Sequence, residues 1–104
     1  MSEFLAVAVA DAVPAGEARV YTVAGTAVAV FNVGGAHHAI ANACPHVGGP
    51  LGEGSIQGSV VTCPWHSWSF DVTTGCLQRP SNTSVARYAV KVEAGKLLVG
   101  CDPL

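Results

Sequence analysis

Two short stretches carry the residues best suited to do chemistry: Cys44-Pro45-His46 and Cys63-Pro64-Trp65-His66. Each offers one thiolate and one imidazole, and sixteen residues separate His46 from Cys63. Soft and borderline ligands of this kind bind transition metals. Zinc sites made of two Cys and two His usually pair like with like along the chain. Here both pairs are mixed. A mixed pair suits a binuclear iron–sulfur site, where each loop gives its Cys to one iron and its His to the other. A single zinc ion is the alternative. The blander reading, buried Cys and surface His, leaves the doubled spacing unexplained. Gly48, Gly49, Gly52 and Gly54 fit a cluster whose sulfides need backbone N–H groups nearby, because glycine permits close approach.

The elements that must hold these loops read as strands. Residues 4–10 alternate into a first strand. Asp11 to Gly16 forms a loop with room for a short helical turn. Strands follow at 17–24, 26–33 and 37–41, joined at Gly25 and at Gly34-Gly35. Such runs, punctuated by glycine, resemble an antiparallel meander. Residues 42–54 break the pattern with their glycines and prolines. A hairpin then pairs 55–57 with 60–62 about Gly58-Ser59, and it brings the two Cys/His loops side by side. A strand at 69–72 turns at Thr74-Gly75. A polar loop at 78–84 contains Pro80, and strands at 85–93 and 96–100 meet through Ala94-Gly95. His37 and His38 sit at the turn into a strand, where adjacent side chains point to opposite faces, so they are not expected to share a site. Cys76 and Cys101 have no nearby histidine and are expected to be free thiols acting as small apolar residues, a bond between the two being the alternative.

The bulk numbers bound the rest. A chain of 104 residues, half of them apolar, suits one folded domain. The net charge of −2 and the scattered Arg19, Arg79, Arg87, Lys91 and Lys96 speak against nucleic acid as a partner. No apolar run approaches membrane-spanning length. The N-terminus, Met-Ser-Glu-Phe-Leu, has no basic region before its apolar stretch, so a cytoplasmic location is expected. Without an export signal, metal binding is favoured over a disulfide framework for the four cysteines.

Residues 44–75, CPHVGGPLGEGSIQGSVVTCPWHSWSFDVTTG, resemble the Rieske family. The likeness extends more loosely from about residue 4 to residue 100. It implies an all-β fold: a Rieske-type antiparallel β-sandwich or barrel, with two cluster-binding loops at the tip of a hairpin. It also implies one domain over 1–104, with a cluster-binding subdomain at about 42–80. One 2Fe–2S cluster per chain is expected, with Cys44 and Cys63 on the buried iron and His46 and His66 on the outer iron, near solvent.

Three differences bear on the kind of Rieske protein. High-potential respiratory members carry a disulfide between the cluster loops. The matching residues here are Gly49 and Trp65. Those members place a Ser two residues after the second His ligand, where this chain has Trp68. They place a Tyr four residues after it, where this chain has Phe70. Hydrogen bonds to cluster sulfurs favour the reduced state, so their loss lowers the potential. Rieske centres span roughly −150 to +300 mV, and the lower end of that range is expected here. Positive charge at the outer iron favours loss of the histidine ring protons, so the potential should fall at alkaline pH.

The resemblance then implies a soluble ferredoxin of an aromatic-ring oxygenase system. It would be a monomer taking electrons from a flavoprotein reductase and passing them to a terminal oxygenase in transient contacts. The alternative is the Rieske-like small subunit of an NADH-dependent nitrite reductase. A terminal oxygenase is excluded, because only His37 and His38 remain for a second iron site. The chain is expected to be an electron-transfer component rather than an enzyme. Pro45, Val47, Pro50, Leu51 and Trp65 are expected to form an apolar docking patch, and Trp68 is expected to pack.

Overall fold

The computed structural model describes residues 3–42, 50–64, 68–76 and 85–104. Nine strands are described: β1 (Phe4–Val9), β2 (Ala18–Val23), β3 (Thr26–Val33), β4 (Ala36–Ala41), β5 (Ser55–Gln57), β6 (Val60–Thr62), β7 (Ser69–Asp71), β8 (Arg87–Glu93) and β9 (Lys96–Pro103). A short 3-10 turn covers Leu51–Glu53. Six strands form an antiparallel sheet in the order β1-β9-β8-β4-β3-β2, and β5-β6-β7 form a smaller one. The outermost strands of the large sheet, β1 and β2, approach one another, so the sheet curls toward a barrel. This is the all-β antiparallel architecture expected from the sequence.

Strand β3 explains why its sequence reads as a continuous apolar run. Val28 and Val30 face one core cluster, with Val13, Val23, Ala39, Tyr88, Leu97 and Val99. Ala29 and Phe31 face a second, with Ile40, Leu51, Val61, Cys63, Phe70, Val72 and Val85. A strand's side chains alternate in direction, so a strand buried on both faces needs apolar residues at every position. The second cluster fastens the small sheet to the large one.

The hairpin turns follow the chirality of their strands. Ala24 and Gly25 between β2 and β3, and Ala94 and Gly95 between β8 and β9, all have positive φ. That is the mirror-image turn whose twist matches paired strands.

Several expectations are corrected. The segment 11–16 holds turns and no helix. It is anchored because the Asn32 side-chain amide donates to the Val13 carbonyl at 2.8 Å, and Val13 is buried. The 3-10 turn at Leu51–Glu53 replaces part of the expected loop. Strand β9 runs on to Pro103, since a bulge between Tyr88 and Val90 lets Tyr88 pair with Pro103. His37 and His38 do line one cleft, together with Arg87, Tyr88 and Val72. Strands β4 and β8 pair only at Ala39–Tyr88 and Ile40–Arg87, so space opens beyond the short ladder. Cys101 is a free, half-buried thiol packed on the first cluster, as expected. Cys76 is exposed and does not act as a core residue.

Candidate metal centre

Of the four expected ligands, Cys63 lies within the described residues. Cys44, His46 and His66 lie outside them, as do Pro45, Val47, Gly48, Gly49, Trp65, Ser67 and Pro80. What the structure does show is how the two Cys/His loops begin and end.

The first loop leaves β4 at Asn42 and returns at Leu51. Asn42 closes it twice: its carbonyl accepts the Leu51 N–H at 2.7 Å, and its side-chain oxygen accepts the Gly52 N–H at 2.8 Å. Its own N–H donates to the carbonyl of Ala27, at the start of β3, at 3.0 Å. The second loop leaves β6 at Cys63, whose N–H donates to the Trp68 carbonyl at 2.7 Å. One step further along the ladder, the hydroxyls of Thr62 and Ser69 bond to each other at 2.9 Å. Both closures therefore combine a backbone bond with a side-chain bond.

The two closures also touch. A Cβ on Gly54 would meet the carbonyl oxygen of Thr62, so the chain leaving the 3-10 turn lies directly on the strand that delivers Cys63. Leu51 and Cys63 share one apolar cluster. A third closure flanks residues 77–84: the Val85 N–H donates to the Gly75 carbonyl at 2.8 Å. Gly75 has φ of +78°, and a Cβ there would sit 2.6 Å from the Val85 carbonyl oxygen.

Cys63 is 1% exposed, and the cluster of buried residues around it is entirely apolar. A bare thiolate is costly in such surroundings, and a metal ion offsets that cost. The donor chemistry and burial at Cys63 thus fit a metal–sulfur ligand. Among the described residues no three His, Cys, Asp or Glu side chains converge.

The 71–75 segment is ordered by Asp71. Its carboxylate accepts the Thr73 hydroxyl and the Thr73 N–H, and its carbonyl accepts the Gly75 N–H at 2.7 Å. The Thr73 hydroxyl does most to hold this carboxyl below its ordinary value. Burial opposes it, while the Thr73 amide, the Ser59 hydroxyl and the charge of His38 add to it. Arg87 donates to the Thr73 carbonyl at 3.2 Å, tying β8 to the same turn.

Two site expectations change. Leu51, expected in the docking patch, is fully buried and belongs to the core; Pro50 beside it is half-buried. Trp68 packs on the second core cluster as expected. The role of Asn42 had one sequence signal: an Asx residue where a strand gives way to a glycine- and proline-rich loop.

Comparison with known proteins agrees with this architecture. The Rieske [2Fe-2S] domain family matches residues 3–89. The ferredoxin subunit of 3-phenylpropionate/cinnamic acid dioxygenase from Escherichia coli (strain K12) is 38% identical over 95% of this chain and 93% of its own length. The ferredoxin component of the alkene monooxygenase system of Xanthobacter autotrophicus is 33% identical over 98% and 84%. Human apoptosis-inducing factor 3 is 39% identical over 62% of this chain, which spans only 11% of that longer protein. A chain in the complex of reduced oxygenase and oxidized ferredoxin of carbazole 1,9a-dioxygenase superposes with a TM-score of 0.90 at 29% identity, covering 97% of this chain and 95% of that one. With the family match spanning most of the chain and two ferredoxin components aligning almost end to end, the chain belongs to the Rieske [2Fe-2S] domain family, as a ferredoxin-type electron carrier with a Rieske-type 2Fe–2S cluster.

Proposed function

We propose that this chain shuttles single electrons from a flavoprotein reductase to a terminal ring-hydroxylating oxygenase, with Cys44, His46, Cys63 and His66 as the cluster ligands. The observation that carries the ligand set is Cys63. It is a fully buried thiol at the closed end of β6, against the end of the loop that bears Cys44 and His46. The bound cluster supplies one-electron chemistry. The chain's own residues supply position and dryness. Asn42 holds the ends of the first loop, while Thr62, Ser69 and the Cys63–Trp68 bond hold those of the second. Leu51, Val61 and Phe70 exclude water from the Cys63 side.

The names of the end-to-end relatives support the carrier role, and the carbazole dioxygenase complex supports an oxygenase as acceptor. The resemblance puts His46 and His66 at the solvent edge, where partners would meet the chain. The reading includes a monomer of one domain, residues 1–104, with the cluster-binding part at about 42–80, working in the cytoplasm. No helix among the described residues is long and apolar enough to cross a membrane.

Metal analysis, visible absorption and reduced-state EPR of the purified protein test the ligand set. Iron with acid-labile sulfide, and an EPR signal lost in C44S and C63S, are expected. A colourless protein holding one zinc ion would overturn it. Mixing with a flavoprotein reductase and NADH tests the donor: bleaching of the visible bands is expected, and failure with every such reductase removes that partner.

A further inference from the structure

We propose that Asn42 is a positioning residue for the cluster, setting the opening of the first ligand loop through its side chain. The inference rests on the reading that Cys44 and His46 are ligands.

Asn42 makes three bonds at one point of the fold. Its N–H reaches Ala27, its carbonyl takes the Leu51 amide, and its Oδ1 takes the Gly52 amide. The start and end of the loop are thereby referred to one residue, and that residue to β3, the strand buried on both faces. The contact depends on a close approach. A Cβ on Gly52 would lie 2.9 Å from Asn42 Oδ1 and would strike Val20 of β2. The Gly52 amide thus sits in a slot between strand β2 and the Asn42 side chain.

The side-chain bond is not redundant with the backbone one. Leu51 is held by its buried side chain as well as by its amide. Gly52 has no side chain, so among the described residues the Asn42 amide oxygen is the group that fixes its N–H. The second loop has its own counterpart in the Thr62–Ser69 hydroxyl pair. Residues bonded directly to metal ligands typically change metal affinity by about 10- to 100-fold when removed, and Asn42, acting through the loop ends, is expected at the lower end of that range.

The internal control is Asn32. Its side chain makes two bonds, to the Val13 carbonyl at 2.8 Å and from the Gly35 N–H at 2.9 Å. It lies toward the other end of β3. Holo wild type, N42A, N42D and N32A are compared by loss of visible absorbance under an iron chelator and by reduced-state EPR. N42A should bleach about 10-fold faster than wild type and show shifted g-values. N42D keeps the acceptor oxygen and should bleach close to the wild-type rate. N32A should lower the unfolding midpoint yet leave bleaching and g-values unchanged. Should N42A not fold, N42S, whose hydroxyl is one bond too short to reach the Gly52 amide, should bleach faster than wild type as N42A would. Equal bleaching of N42A and N32A, or N42D failing as badly as N42A, overturns the role. A wild-type protein that never holds iron overturns the ligand reading instead.

Discussion

The carbonyl oxygen of Thr62 occupies the place where a side chain on Gly54 would begin. Gly54 has φ of −76° and ψ of 171°, an extended conformation open to any residue. Its requirement for glycine is therefore steric and comes from the strand beneath it. G54A should cost about 3 kcal/mol, the upper end for overpacking, because backbone rather than a movable side chain must yield. Urea unfolding measures this. A loss no larger than that of a surface Gly→Ala change would show that the two loop closures do not press together.

Leu51 is apolar and neighbours the loop that bears Cys44 and His46, yet it points inward. L51A should cost about 2–5 kcal/mol of stability, as other buried Leu→Ala changes do. At temperatures where the variant stays folded, its affinity for a redox partner should match wild type. Weakened docking with undiminished stability would return Leu51 to the surface.

Asp71 gives the fold a sign of pH dependence. Its carboxyl is held below its ordinary value of 3.8, chiefly by the Thr73 hydroxyl. Its contribution is therefore fully present above that value and is lost as pH falls through the lower, folded value. The group is only partly buried, so solvent screening limits the effect. D71A should cost about 1 kcal/mol at neutral pH, and the gap to wild type should narrow below about 3.8. Denaturant titrations at several acidic pH values provide the check. A gap that stays constant through the acid range would remove the carboxylate from the account.

Phe70 is fully buried in the cluster that contains Cys63. The resemblance puts a tyrosine at this place in high-potential Rieske proteins, bonded to a cysteine sulfur. F70Y should raise the reduction potential, because a new donor favours the reduced state. A bond worth about 1 kcal/mol more in that state corresponds to about 40 mV for one electron. Redox titration followed by EPR reads it. An unchanged or lower potential would show that the hydroxyl points away from the sulfur.

Much of the fold was legible from residue patterns. Strand β3 and the β5–β6 hairpin have the expected bounds, because turn residues and apolar runs mark them locally. The continuation of β9 to Pro103 was not legible, since it depends on a bulge opposite Tyr88. The shared cleft at His37 and His38 was missed for a related reason. Alternation along one strand says nothing about where a neighbouring strand stops pairing.

The site divides in the same way. Residue type and spacing along the chain were enough to mark Cys44, His46, Cys63 and His66 as a mixed ligand set, because ligand chemistry is a property of side chains and short loops. It is the resemblance to the Rieske family, read onto those positions, that marks Phe70 and Trp68 as departures from the high-potential pattern. Which apolar residue near those loops faces water, and which residue ties the first loop shut, could not be read from order alone. Leu51 turns inward because β3 and the small sheet meet over it, and Asn42 reaches Gly52 at 2.8 Å because the 3-10 turn packs back on β2 and β3. Contacts between segments distant along the chain set both outcomes, and those exist only once the two sheets have packed.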